Sequence, residues 1–191
     1  IENESAPFDV FCNIANNNPA PFMAFLNCGD FCVVSSSPER FLQKKGPYLE
    51  TRPIKGTAPR SNDHTVDLLN KKQLLNSPKE RAELLMITDL MRNDLGRISL
   101  PGTVKTEKIW HCEAYTNVYH LLSVIRSQVL PDIHPVDLIR LCFPGGSISG
   151  CPKLRALEII AEQEQQPRGI HTGSIGYFKG NGDFDFNIAI R

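Results

Sequence analysis

The sequence lacks the features that mark nucleic-acid-binding, membrane-spanning or disulfide-bonded proteins. Lysine plus arginine and aspartate plus glutamate each number 21, so no global field recruits nucleic acid or anionic lipid. No apolar run approaches the roughly 20 residues that a membrane-spanning helix needs. The six cysteines include no Cys-x-x-Cys pair, which favours buried free thiols of a cytoplasmic protein over disulfides. Any acidic ligand must therefore be bound by local groups.

The composition that is present is typical of a globular domain. The 191 residues are 41% hydrophobic and 22% charged, which is sufficient for one sizeable core. The sequence begins at Ile1 without a methionine and stops at Arg191 while an alternating strand pattern is still running. We therefore expect one domain over residues 1–191 that is a segment of a longer one.

Local signals predict antiparallel strands with inserted helices. The clearest helix follows Ser77, an N-cap residue with proline at the first helical position and Glu80 at the capping-box position, and it ends at Gly96. Residues 60–76 fit either a flexible connection or a short helix. This pattern indicates an α+β fold. Strand-like runs are expected at residues 22–28, 31–35, 41–52, 103–109, 118–130, 172–179 and 183–191, and further helices at 135–143 and about 151–165. The first two runs surround a tight turn at Gly29, and residues 41–52 could form a second hairpin that turns near Gly46.

Lys55 lies between Ile54 and Gly56 in a setting that suits a nucleophile. An ordinary lysine ammonium has no free lone pair at neutral pH, so this role requires desolvation or a cationic neighbour such as Arg52. Gly56 lets a substrate approach the backbone closely. The alternative is a surface lysine in a loop.

A glycine- and serine-rich loop at residues 145–150 leads into a predicted helix that begins near Cys151. Backbone N–H groups, small hydroxyls and the positive end of a helix dipole converge there, which suits an anion. Neither a P-loop nor a dinucleotide fingerprint is present, so a carboxylate fits as well as a phosphate. The alternative is a structural turn in which Ser149 caps the helix.

Glu83 shares one face of the helix after Ser77 with Ile87 and Leu90. A carboxylate beside apolar residues must be paired or bound to a cation. Mg²⁺ takes one or two carboxylates together with water and substrate oxygens. The pattern therefore leaves open a magnesium ligand and a salt bridge to an arginine such as Arg81 or Arg92.

Polar residues in strand-like runs form a further group of candidates. Arg191 and Tyr177 could meet a carboxylate on one sheet face, because both lie in the last predicted hairpin. His120 within its strand is open to a packed or a catalytic role. Glu39 would ordinarily be a turn glutamate paired with an arginine.

Taken together, these motifs occur in the order found in chorismate-utilising enzymes, and the chain resembles that family from about residue 19 to residue 191. Anthranilate and isochorismate synthases usually carry alanine where this chain has Lys55, whereas lysine there is similar to component I of aminodeoxychorismate synthase. The matching motifs lie at residues 37–42, 52–57, 81–87, 89–97, 120–121, 143–150, 152–156, 173–177 and 188–191.

The resemblance implies antiparallel sheets packed in a sandwich with flanking helices, without the amino-terminal part and the carboxy-terminal end of the family domain. It implies that Lys55 attacks the chorismate ring, that Glu39 protonates the departing hydroxyl and that His120 orients the substrate or transfers a proton. The other implied site residues are Gly56, Thr57, Ser147, Tyr177 and Arg191 for chorismate, and Glu83 for Mg²⁺.

The implied reaction is the amination of chorismate at C4 to 4-amino-4-deoxychorismate, for 4-aminobenzoate and folate biosynthesis. The ammonia implies a glutamine amidotransferase partner, as a separate subunit or a fused domain, and neither nucleic acid nor a membrane is implied. A second Mg²⁺ glutamate would lie beyond Arg191, so the isolated chain is expected to be inactive. Anthranilate synthase, isochorismate synthase and a noncatalytic chorismate-binding module are the alternatives.

Overall fold

A seven-stranded antiparallel sheet forms the body of the molecule in a computed structural model that describes residues 6–191. A separate hairpin pairs β1 (Phe22–Asn27) with β2 (Cys32–Ser37). The larger sheet contains β3 (Arg40–Lys45), β4 (Tyr48–Arg52), β5 (Ile54–Pro59), β6 (Lys105–Ala114), β7 (Val118–Gln128), β8 (Gly176–Phe178) and β9 (Phe184–Asn187). The helices are α1 (Pro7–Asn17), α2 (His64–Asn76), α3 (Pro78–Gly96), α4 (Pro135–Cys142), α5 (Gly146–Ser149) and α6 (Lys153–Gln163).

Strand β7 is the centre of the larger sheet. It pairs with β6 along one edge, and along the other edge with β5 near its start and β4 near its end. Pro53 separates β4 from β5, so residues 48–59 line that edge as one segment with a single break. Beyond β4 the sheet continues through β3 and β9 to β8.

Helices α2 and α3 pack against the sheet over two apolar cores. Thr88 of α3 shares a hydrogen bond of 2.7 Å with Ser123 of β7, and both side chains are buried. The larger core joins α3 to β3, β4, β7 and β9, and the smaller joins α2 and α3 to β5 and β7. Their buried members are Phe41, Leu42, Leu49, Ile87, Met91, Leu95, Ile98, Ile125, Leu138, Cys142, Phe184 and Ile188 in the first, and Ala58, Leu74, Leu84, Tyr119 and Leu121 in the second.

The predicted α+β class with antiparallel sheets and flanking helices is confirmed. The first two hairpins turn where the glycines predicted. The helix after Ser77 is capped as expected, since the Ser77 hydroxyl accepts the Glu80 N–H at 3.3 Å. The predicted domain start at Ile1 lies outside the described residues.

Residues 60–76, left open between a flexible connection and a short helix, contain the helix α2, whose N-cap Asp63 accepts N–H bonds from Thr65 and Val66. Two other parts of the fold differ from the sequence prediction. Helix α1 was not predicted. The last hairpin is shorter than expected, because the chain leaves the β8–β9 ladder after Asn187 and the Ile188 N–H donates to the Glu39 carbonyl oxygen at 3.0 Å. Arg191 is therefore not part of the β9 strand.

The remaining global expectations concern thiols and membrane helices. All six cysteines are free, as predicted, but the expected burial is wrong for five of them, because only Cys142 is buried. Within residues 6–191, no helix combines the length and apolar character required to cross a bilayer.

Candidate active site

Three of the predicted site residues, Glu39, Lys55 and Ser147, meet at one place. Glu39 immediately precedes β3 and Lys55 is the second residue of β5. The Lys55 ammonium donates to the Ser147 carbonyl oxygen at 3.3 Å. The Ser147 side chain and the Ile54 backbone hydrogen-bond to the Glu39 carboxyl group, on which the charge of Lys55 also acts. The amine and the carboxyl group thus lie near the same loop residue, Ser147.

The Glu39 carboxyl group is protonated more readily than an exposed glutamate. The residue is only 5% exposed, and burial raises its pKa from 4.5 to about 7, although the hydrogen bonds from Ser147 and Ile54 and the charge of Lys55 oppose the rise. A carboxyl group with a pKa near neutrality suits a general acid, because it holds its proton at neutral pH and can still release it.

A β-bulge presents Lys55. Ile54 lies opposite Leu122 of β7 and Thr57 lies opposite His120, so one extra residue is inserted between these pairs. Gly56 in the bulge has a φ of +87°, and a Cβ there would lie 3.0 Å from both a Glu80 carboxylate oxygen and a Leu74 methyl carbon. The missing side chain therefore makes room for α2 and α3, and contact between Gly56 and substrate stays a prediction.

The next pair along this strand is Thr57 and His120. Thr57 Oγ1 and His120 Nδ1 share a hydrogen bond of 2.9 Å, whose donor depends on the histidine tautomer. His120 is 2% exposed. Burial, and then the charge of Arg191, lower its pKa, while the Gly56 backbone and Glu113 act in the opposite direction. The imidazole is therefore held neutral at neutral pH, a form that can accept or donate a proton.

Arg52 does not act as the expected cationic neighbour of Lys55 in these contacts. Its Nε atom donates to a Glu50 oxygen at 2.6 Å, and one of its terminal nitrogens lies 3.5 Å from Glu113. The guanidinium is therefore directed at carboxylates on the sheet.

The loop at residues 145–150 contributes Ser147 through the single turn α5. Gly146 packs so closely on α3 that a Cβ there would lie 2.8 Å from Leu90 Cδ2. The Ser149 hydroxyl donates to the Gly145 carbonyl oxygen at 3.1 Å, and α6 begins after Pro152 without a side-chain cap. The alternative that Ser149 caps the following helix is therefore wrong.

Glu83 lies at the margin of the buried face of α3. Its side chain is 43% exposed and its nearest cation is Lys79, at 4.0 Å. The two arginines considered as partners are engaged elsewhere, since Arg81 stacks 3.9 Å from the Trp110 ring centroid and Arg92 lies 3.5 Å from Asp89. The predicted arginine pair is therefore wrong.

The donor chemistry at Glu83 fits one position of an Mg²⁺ ion. A half-exposed carboxylate with one distant cation offers the oxygen ligand that Mg²⁺ prefers. Residues 6–191 contain no group of three or more histidine, cysteine, aspartate or glutamate side chains placed to hold a metal. Among the described residues, Glu83 would therefore supply one ligand, and the other ligands would come from outside them.

The two predicted carboxylate-binding residues of the last hairpin are separated. The Arg191 carbonyl oxygen accepts hydrogen bonds from the Ser36 N–H at 2.9 Å and the Ser35 hydroxyl at 3.1 Å. The positive charge of Arg191 acts on His120. Tyr177 is half exposed on the edge strand β8, at the opposite end of the sheet from β5. Among the described contacts none joins Tyr177 to the Glu39–Lys55 pair.

An α+β domain that places a lysine amine beside a carboxyl group of near-neutral pKa, with a neutral histidine on the adjacent strand, defines a candidate enzyme of the covalent and acid–base class. The chain belongs to the family described as chorismate binding enzyme, whose model matches residues 1–191. The resemblance drawn from the motifs is confirmed.

The relatives divide between two named activities. The chain is 47% identical over 188 residues to aminodeoxychorismate synthase component 1 of Salmonella typhimurium, covering 98% of this chain and 41% of the relative. It is 43% identical over 191 residues to anthranilate synthase component 1 of Pseudomonas aeruginosa, covering all of this chain and 39% of that one. The chain therefore spans well under half the length of these relatives.

Solved structures confirm the fold. Anthranilate synthase component I from Streptococcus pneumoniae superposes with a TM-score of 0.87 at 36% identity, covering 100% of this chain and 42% of that one. The menaquinone-specific isochorismate synthase from Escherichia coli, at 21% identity and a TM-score of 0.69, covers 84% of this chain and 36% of that one, and shows the fold alone.

Proposed function

We propose that the protein to which this chain belongs aminates chorismate at C4 to give 4-amino-4-deoxychorismate, with Lys55 as the nucleophile. The observation that carries the proposal is the Lys55 amine held beside the buried Glu39 carboxyl group on the β5 bulge. Relatives named aminodeoxychorismate synthase component 1 support the same branch of the family.

The two side chains divide one displacement into two steps. The neutral Lys55 amine attacks C2 of the ring while Glu39 donates its proton to the C4 hydroxyl, which leaves as water, and the new C2–nitrogen group then returns one proton to the Glu39 carboxylate. Ammonia then bonds to C4 as the C2–nitrogen bond breaks, and one proton of the incoming ammonia passes to the departing nitrogen, which restores the neutral Lys55 amine. Covalent catalysis of this kind replaces one difficult displacement by two easier ones.

The neighbouring groups bind and orient the substrate. His120, held neutral and fixed by Thr57, orients a ring substituent or moves a proton. Arg191 binds one substrate carboxylate, and Gly56, Thr57 and Ser147 line the ring, whereas Tyr177 would have to reach the substrate from β8, apart from Arg191. When Mg²⁺ is bound at Glu83, it neutralises the other carboxylate.

Ammonia would come from a second protein or domain. The name "component 1" of the relatives supports a glutamine amidotransferase partner, either separate or fused. The six free cysteines support a cytoplasmic location. We infer that the isolated chain is inactive, because it spans 41% of a relative such as that of Salmonella typhimurium.

Anthranilate synthesis is the second candidate, because the chain is 43% identical to an anthranilate synthase component 1 and shares its fold with another. Lys55 separates the two, since alanine is usual at that position in anthranilate synthases. The sequence identities of 47% and 43% are too similar to decide between aminodeoxychorismate and anthranilate synthesis.

The deciding experiment identifies the product. The full-length parent is incubated with chorismate, Mg²⁺ and ammonium, and the wild type is compared with Lys55→Ala by chromatography and intact-protein mass. We expect aminodeoxychorismate from the wild type, and its loss in Lys55→Ala because the nucleophile is gone. Lys72→Ala, which removes an exposed lysine of α2, is the matched control and should keep full activity. Formation of anthranilate or isochorismate with Lys55 dispensable would contradict the proposal.

A further inference from the structure

Lys153, the first residue of α6, is buried against the end of α3. Its ammonium donates to an Asp94 oxygen at 2.5 Å, to the Cys142 carbonyl oxygen at 3.1 Å and to the Pro144 carbonyl oxygen at 2.9 Å. The Lys153 and Asp94 side chains are only 13% and 4% exposed. Each of the three ammonium protons therefore has an acceptor within the protein.

These contacts close the loop that carries Ser147. The carbonyl groups of Cys142 and Pro144 stand at its beginning, and Lys153 itself follows its end. A single ammonium group therefore joins the two ends of the loop and fixes both to α3 through Asp94. Between these ends, Ser147 makes its contacts with Lys55 and Glu39.

A stabilising role alone does not explain the contacts of the Lys153–Asp94 ion pair. The attraction between two buried charges is largely offset by the loss of their hydration, so a buried ion pair is weak evidence for a stabilising role. Two of the three acceptors are backbone carbonyls of the loop entrance. Such a donor set fixes the path of a backbone segment and not only the distance between two helices.

We propose that Lys153, held by Asp94, is a positioning residue that closes the loop presenting Ser147 to Glu39 and Lys55. The inference depends on the proposed function only for its effect on turnover, because the contacts themselves are independent of the reaction. Lys153 acts through Ser147 and does not itself touch the Glu39–Lys55 pair in the described contacts.

The test measures the titration of the Glu39 carboxyl group in the full-length parent. Glutamate labelled with ¹³C at the carboxyl carbon is observed by NMR, and the Glu39 signal is assigned by its absence in Glu39→Gln. The charged side chain that acts on Glu39 is Lys55, and the Ser147 hydrogen bond lowers the Glu39 pKa. Ser147→Ala should therefore move the titration to higher pH, and Lys153→Met should move it in the same direction.

The combination of the two variants distinguishes positioning from general damage. If Lys153 acts through Ser147, the variant carrying both Lys153→Met and Ser147→Ala shifts the Glu39 titration no further than Ser147→Ala alone. Chorismate consumption, measured whatever the product, should fall by the same factor in Ser147→Ala and in that double variant. Additive effects, or an unchanged Glu39 titration in folded Lys153→Met, would overturn the proposal.

Two further variants keep the result interpretable. Lys153→Met combined with Asp94→Asn removes both buried charges, so it serves as the test variant if the lysine substitution alone prevents folding. Arg155→Met breaks an exposed ion pair with Glu158 on the same helix and should leave the Glu39 titration unchanged.

The positioning role and the proposed function can fail separately. If the titration responds as expected but the parent makes another product, the positioning role stands and the proposed function fails. If aminodeoxychorismate forms but the Glu39 titration is unchanged in the Lys153 variant, the proposed function stands and the positioning role fails.

Discussion

Two buried glutamates, one directly before β3 and one on β4, have pKa values shifted in opposite directions. Glu39 and Glu50 are both 5% exposed. Burial raises the pKa of Glu39 to about 7. Burial also acts to raise the pKa of Glu50, but hydrogen bonds from Arg52 and Arg126 and the charges of Arg52 and Arg40 together lower it. Burial raises the pKa of both carboxyl groups, and the arginine partners of Glu50 reverse that rise, so partners as well as burial decide whether a buried carboxyl group stays charged.

The charged glutamate supports the strands that carry the protonated one. Arg40 and Arg52 lie directly opposite each other in the β3–β4 pairing, where like charges repel. One Glu50 oxygen accepts a hydrogen bond from each of them at 2.6 Å, and its other oxygen accepts one from Arg126 at 2.6 Å. Glu39 directly precedes Arg40 in sequence, and Lys55 lies shortly after Arg52. Glu50 thus has a structural role beside the candidate catalytic pair.

The largest expected effect comes from replacing the protonated member. Glu39→Gln keeps the shape of the side chain but removes its transferable proton, so we expect kcat to fall about 10²- to 10⁴-fold. Wild-type activity that needs protonated Glu39 is present below pH 7 and lost as the pH rises through about 7. This alkaline limb of the pH profile should be absent in the variant. Steady-state chorismate conversion by the full-length parent across pH measures both effects. An unchanged kcat with the same alkaline limb would remove Glu39 from the mechanism.

A smaller effect is expected from neutralising the charged member. Glu50→Gln leaves three arginines without their shared carboxylate, and we expect the free energy of unfolding at pH 7 to fall by about 2 kcal/mol, since two of the arginines are partly exposed. The pKa of folded Glu50 lies below 4.5, so its stabilisation is present above pH 4.5 and is lost as the pH falls through the folded value. Urea unfolding of the wild type and the variant should therefore converge in acid.

The matched control for this prediction is Glu107→Gln. Glu107 contacts Arg126 at 2.8 Å and its side chain is 43% exposed, so the loss should stay below about 1 kcal/mol. Equal losses in the two variants would show that Glu50 is an ordinary surface partner.

The smallest effect concerns the pair beside the bulge. Thr57→Val removes the hydrogen bond to His120 at 2.9 Å without changing the size of the side chain, and we expect a loss of about 1 kcal/mol in unfolding free energy. The loss arises because a buried ring nitrogen is left without its partner. Thermal and urea unfolding can be compared with Thr65→Val, an exposed threonine of α2. A Thr57→Val variant as stable as the control would mean that His120 finds another partner.

Local signals in the sequence were sufficient for much of the fold. The turns at Gly29 and Gly46 and the cap at Ser77 depend on neighbouring residues, and each appears where predicted. The sequence did not decide whether residues 60–76 form a helix, because contacts with other parts of the fold hold α2 in place. Asp67 of α2 accepts hydrogen bonds from Arg60 at 2.9 Å and from the Tyr119 hydroxyl at 2.6 Å.

The site itself was predicted as a set of residues but not as an arrangement. The family resemblance implies Glu39, Lys55 and Ser147 as site residues, and the structure brings them together. The bulge at Gly56 and the contact of Lys153 with Asp94 depend on residues far apart in sequence. Their backbone and side-chain partners leave no periodic signal, so sequence reasoning could not find them.

The position of Ile188 sets when the site can form as the chain is synthesised. Its carbonyl oxygen accepts a hydrogen bond from the Ser37 hydroxyl at 2.5 Å, across 151 positions of the sequence, and its N–H binds the Glu39 carbonyl oxygen. A nascent polypeptide therefore cannot complete the surroundings of Glu39 until nearly all of these 191 residues have left the ribosome. Contacts between such distant residues slow folding. The backbone and hydroxyl groups of Ser37 and Glu39, just before β3, therefore lack their Ile188 partners while the intervening helices form.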